Sequence, residues 1–135
     1  MKTVVLKTDK FPHDPEGDLK YCNGQPGSAF ARWLKDELAR MRVAGDELIQ
    51  EDYGWGFWIL SDEAKIWICV SFGDLEDDGK ARWYISVSFE EPFLLLRPWM
   101  WGKKKSSQSE EEKIFGYVEN IVSRESAFEV ISKDD

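Results

Sequence analysis

Two alternating runs joined by an acidic turn constrain this chain most. In KIWICVSF (65–72), Ile66, Ile68, Val70 and Phe72 fall on one side, and Trp67, Cys69 and Ser71 on the other. RWYISVSFE (82–90) repeats the arrangement, with Trp83, Ile85, Val87 and Phe89 set against Tyr84, Ser86 and Ser88. Successive side chains of a strand point to opposite faces, so each run is a strand with one apolar and one mixed face. DLEDDG (74–79) between them reads as a hairpin loop. A sheet with a continuous apolar face needs a second layer over that face.

Two segments have the spacing to supply that layer. In 28–43, Phe30, Trp33, Leu34, Leu38 and Met41 recur at helical steps, while Arg32, Lys35, Asp36 and Arg40 take the other side. Ser28 is the expected N-cap and Gly45 the expected stop. A second helix is expected to open at Ser109, whose hydroxyl forms a capping box with Glu112. Glu110, Glu111 and Glu112 suit its positive end, and Ile114, Phe115, Val118, Ile121 and Val122 form its apolar stripe.

Shorter strands complete the order: TVVLK (3–7), 47–53 with Ile49, Glu51 and Tyr53 on one side, 57–61, and AFEVIS (127–132). The pattern β-α-β-β-β-β-α-β predicts an α+β fold, an antiparallel sheet of about five to six strands with both helices on one face. The chain has 135 residues and no internal repeat, which predicts one globular domain. The segment 9–27 carries three Pro and three Gly and reads as a long ordered loop, pinned to the body by Phe11 and Tyr21.

Charge narrows the function classes. There are 26 acids against 18 bases, a net charge of −8, which argues against direct nucleic-acid binding. It favours a basic partner or electrostatic mimicry of nucleic acid. The plainer explanation is that acidity keeps a surface with seven Trp in solution. The first residues lack the apolar core of a signal peptide, and no apolar run reaches the roughly 20 residues of a membrane span. Cys22 and Cys69 then read as free thiols in a reducing cytoplasm. His13 is the only histidine; with Asp9, Asp14, Glu16 and Asp18 around it, the spacing matches neither a zinc nor a calcium site. No catalytic motif passes through it, so the expectation is a protein that is not an enzyme, with no cofactor and no metal.

Three stretches carry candidate contacts. In QEDYGWGFWIL (50–60), Gly54 and Gly56 imply a tight hairpin or a bulge. Glu51 and Asp52 either bond the turn backbone or receive a cation from a partner. In PFLLLRPWMWGKKKSS (92–107), Trp99, Met100 and Trp101 precede three Lys in an expected loop. They are interface residue types, and the competing readings are a lid on the core and contact with an anionic membrane. Third, Trp67, Tyr84 and Trp58 sit on the mixed sheet face. That face is a partner or homodimer interface, a shallow ligand cleft, or a surface covered by the 9–27 loop.

The helix FARWLKDEL followed by EDYGWGFWI resembles a pattern in small bacterial proteins with an acid-acid-aromatic-Gly-Trp turn. That resemblance covers 30–59 and implies no activity. In build, an acidic α+β chain without a catalytic motif, the protein is also similar to toxin-immunity proteins. This similarity implies a non-enzymatic, protein-binding inhibitor of a basic partner. The acids Glu51, Asp52, Asp74, Glu76, Asp77 and Asp78 would steer that partner, and Trp67, Trp99 and Trp101 would anchor it. A small-ligand-binding or hydrolytic protein using His13, Glu51 and Tyr53 is the first alternative. An acidic inhibitor from a phage or mobile element that mimics nucleic-acid charge is the second.

Overall fold

A computed structural model describes residues 1–11, 26–60, 65–89 and 100–134, with the backbone alone for 100–106 and 134. Within these the order is β1 (Lys2–Thr8), α1 (Ser28–Arg40), β2 (Ile49–Glu51), β3 (Gly54–Leu60), β4 (Lys65–Leu75), β5 (Ala81–Phe89), α2 (Met100–Arg124) and β6 (Glu129–Asp134). The strands form one six-stranded sheet in the order β2-β3-β4-β5-β1-β6. Every pairing is antiparallel. This is the α+β architecture that the alternation of 65–72 and 82–90 predicts.

Register carries one apolar face across the sheet. Phe57 lies opposite Ile68, Ile68 opposite Val87, and Ile85 opposite both Val70 and Val4. These residues share a single core with Phe30, Leu34 and Leu38 of α1 and with Ile114, Phe115, Val118 and Ile121 of α2. Both helices therefore pack on the same face. Burying each of these larger side chains contributes about 1.5–3 kcal/mol relative to exposure. Trp83 is fully buried and meets Phe30 and Phe72 edge-on at 5.3 and 5.4 Å. Phe11 stacks on Phe30 at 4.3 Å, so it does pin the start of the 9–27 segment to the body. Tyr21, Cys22, His13, Asp14, Glu16 and Asp18 lie outside the described residues.

Four local expectations are corrected. Ser28 is the first residue of α1 rather than its cap; Gly27 holds the cap position with no side-chain bond. The stop of α1 is Arg42 rather than Gly45. Arg42 takes φ 65°, and the Val43 and Arg42 amides donate back to the Leu38 and Ala39 carbonyls. This is the Schellman closure usually left to glycine. Gly45 instead bridges to Ile59 further on. Tyr53 is not in a strand with Ile49 and Glu51; Asp52 and Tyr53 form the turn, and Glu51 faces Gly54 directly.

The fourth correction concerns α2, which begins at Met100 and not at Ser109. Ser109 is an exposed interior position, so no capping box forms there. The reason lies in the buried stripe. Among the described side chains it runs Ser107, Glu111, Ile114, Val118 and Ile121, at helical steps, and two of these are polar. A pattern of apolar residues cannot reveal buried positions held by Ser and Glu. Met100 and Trp101 thus belong to the first turn of a helix and not to a loop; Trp99 lies outside the described residues.

Candidate functional site

The face opposite the helices is built from the alternate residues. Ser71 and Tyr84 lie opposite one another, as do Cys69 and Ser86, then Trp67 and Ser88. Trp58 faces Trp67 from β3, and Gly56 faces Cys69. Tyr84, Ser86, Ser88, Trp58 and Trp67 are half-buried. Neither helix packs on this side, since the core of both belongs to the other face.

The glycines of the β2–β3 hairpin shape one end of this face. A β-carbon on Gly56 would lie 2.5 Å from Cζ2 of Trp67 and would also meet the Ile68 carbonyl oxygen. A β-carbon on Gly54 would collide with the Val70 carbonyl oxygen. Gly56 thus leaves the space into which the Trp67 indole lies down across the strands, an aromatic ring filling a glycine's vacancy. Cys69 sits between Gly56 and Ser86 on the same face and is 1% exposed.

Chemistry follows from this packing. Burial pushes the Cys69 thiol up to about 11; the Ser71 hydroxyl, 3.8 Å away, pulls it back, and the Glu51 charge adds to the rise. Tyr53 folds from the turn towards the same place, and its hydroxyl accepts a hydrogen bond from the Trp67 indole. Its pKa is raised by burial first, then by Cys69, with the Trp67 bond opposing and Glu51 adding a little. The thiol is a poor nucleophile in this state, because the thiolate is the reactive form.

Trp58 and Trp67 meet at 5.0 Å with their planes 48° apart. The Lys65 ammonium lies 4.3 Å from the Trp58 ring centre, well within cation–π range. Beside them is a cleft of about 240 Å³ lined by Glu51, Tyr53, Trp58, Trp67, Ser88 and Phe89. Glu51 and Trp67, both expected as contact residues, are brought together there. Asp52 is exposed in the turn and does not line the cleft. Tyr84 shares the face but lies apart from the cleft, bonded to Arg82, whose pKa it raises more than the Glu76 charge does. Ser88 and Phe89 were not singled out by the sequence; only the register, which places Ser88 opposite Trp67, finds them.

Several expected steering acids are already paired. Glu76 forms an ion pair with Arg82 at 2.7 Å, and Asp78 accepts a hydrogen bond from Lys7 at 2.8 Å. Asp74 and Asp77 are exposed. Among the described residues no three His, Cys, Asp or Glu side chains gather to hold a metal ion, and no helix is long and apolar enough to cross a membrane. Compared with protein families, curated proteins and solved structures, the chain matches none.

Proposed function

We propose that this chain is a non-enzymatic binding module that receives a basic protein partner on the sheet face opposite its helices, in the manner of an immunity-type inhibitor. The observation that carries this reading is the half-buried aromatic set Trp58, Trp67 and Tyr84 on a face that neither helix covers. Large aromatics interleaved with Ser on a sheet face away from both helices are the residue types from which interface anchors are made. The net charge of −8 favours a cationic partner and speeds its encounter. Among the described residues lining the cleft none pairs a nucleophile with a base, and the Cys69 thiol near it is buried and held protonated.

The test is a 1:1 complex formed from two purified proteins, this chain and a basic partner captured with it. The complex is expected to weaken steeply as salt rises. Ser86→Arg, a bulky cation in the middle of that face and outside the cleft, is expected to cost roughly tenfold or more in affinity. Circular dichroism should show the variant folded. Undiminished affinity in a folded Ser86→Arg protein would remove this face from the interface. Self-association of the chain at micromolar concentration, with no partner bound, would replace the basic partner with a second copy.

The cleft itself favours one other reading, a small ligand held between Trp58, Trp67 and Glu51. Stabilisation of several degrees by one compound in a thermal-shift screen, with no protein partner found, would support it.

A further inference from the structure

We infer that the cleft between Glu51, Tyr53, Trp58 and Trp67 is a pocket for one cationic side chain, an arginine or lysine presented by the partner. The inference rests on the basic-partner reading and names the anchor point within it.

Four observations converge. The first is the walls. Two indoles, 5.0 Å apart and tilted at 48°, line the cleft, and indole rings attract a cation. The second is the carboxylate. Glu51 lines the same cleft, is half-buried, and forms no ion pair among the described residues. Its charge is felt by its neighbours, since it helps to raise both Tyr53 and Cys69. The third is an internal precedent. The chain already sets one ammonium, that of Lys65, over the Trp58 ring at 4.3 Å, and Lys65 is not among the residues lining the cleft. The fourth is size. About 240 Å³ is below the range of drug-sized ligand sites and suits the head and last methylenes of one long side chain.

The chemistry is specific in sign. Tyr53 accepts its hydrogen bond from Trp67, and Ser88 supplies a hydroxyl at the rim, so neither opposes a donor-rich guest. A guanidinium carries only donors, stacks on indole faces and can fork onto one carboxylate, which makes arginine the better-fitting guest. An anion would meet Glu51 and the negative faces of two indoles.

The probes are hexa-arginine, hexa-lysine and a hexa-citrulline peptide, which keeps arginine's shape without its charge. Binding is followed at low salt by tryptophan fluorescence and by the indole N–H resonances of Trp58 and Trp67. Hexa-arginine should bind, shift both indole resonances, and bind at least tenfold more tightly than hexa-citrulline. Glu51→Gln, nearly isosteric and half-exposed, should weaken it about fivefold, on the scale of one charge-assisted contact. Trp58→Leu should do the same if it folds, while Asp77→Asn, an exposed acid outside the cleft, should change affinity little. Binding that ignores Glu51→Gln and leaves both indoles unshifted overturns the pocket and leaves the basic-partner reading standing. Absence of any polycation binding overturns the pocket too, and the Ser86→Arg experiment then decides the partner reading by itself.

Discussion

At the scale of single residues, Gly56 and Cys69 are the two halves of one packing decision. The absent side chain of Gly56 is the room that the Trp67 indole fills, and Cys69, opposite Gly56 and 1% exposed, is the thiol that the indole is expected to seal. Gly56→Ala places a methyl group against the indole and the Ile68 carbonyl, and overpacking of this kind costs about 1–3 kcal/mol. Urea unfolding should show that loss. In a Cys22→Ser background, alkylation of native Cys69 should be slow, and Gly56→Ala should speed it; unchanged protection would mean that Trp67 is not the seal. Cys69 also sets a pH dependence. Its thiol ionises near 9.0 when unfolded and near 11 when folded. The folded state therefore holds a proton that the unfolded chain releases across that window. The thiol's contribution is fully present below pH 9 and is lost as pH rises towards 11, by ~2–3 kcal/mol for a two-unit shift. The stability difference between the wild type and Cys69→Ala, measured at pH 8 and again at pH 10.5, should move against the wild type by about 1.8 kcal/mol, the part of that loss reached below the folded pKa. An equal difference at both pH values would show that the thiol ionises freely in the fold.

At the scale of elements, the sequence reveals what repeats and hides what is contributed once. Strands β4 and β5 are legible because every second residue reports the same face, and the paired glycines in 54–56 announce a hairpin. The N-terminal part of α2 is not legible. Among the described side chains its buried positions there are Ser107 and Glu111, and hydrophobic periodicity is silent about polar residues. The same limit applies to the cleft. Glu51, Trp67 and Trp58 stand out in composition, but Tyr53 joins them by folding back from a turn, and Ser88 joins through register alone. The end of α1 shows a residue chosen against type. Arg42 holds the left-handed position at φ 65°, where a β-carbon is costly. Arg42→Gly should stabilise the protein by about 0.5–1 kcal/mol, the relief being partly offset by glycine's larger unfolded entropy. A denaturant midpoint that falls instead would mean that the exposed Arg42 side chain contributes more than its backbone costs.

At the scale of the whole molecule, two electrostatic effects oppose each other, and their crossing point can be measured. The chain carries 26 acids and 18 bases, so the compact state repels itself at neutral pH. Carboxylates begin to take protons near pH 5, which relieves that repulsion. Against this stand particular pairs that tie distant parts of the fold. Lys7 of β1 bonds Asp78 of the β4–β5 turn at 2.8 Å and lies 4.0 Å from Glu129 of β6. Lys10 bonds Glu125, just beyond α2, at 3.0 Å. The bond to Lys7 holds Asp78 below the ordinary carboxylate range, and the bond to Lys10, helped by the Ala127 amide, does the same for Glu125. A depressed carboxylate contributes stability that is present above its unfolded pKa and lost as pH falls through its folded one. The melting temperature at low ionic strength should therefore rise modestly from pH 8 to about 5 and then fall below about pH 4. Salt at 0.3 M should flatten the first limb, since it acts on long-range repulsion between exposed charges. Lys7→Met should shallow the second limb, because Asp78 then loses the largest of the interactions that hold it down and keeps only the Lys80 amide and charge. A melting temperature that declines steadily from pH 8 downward, with or without salt, would show that the surplus of acid does not strain the fold and that its acids are held locally throughout.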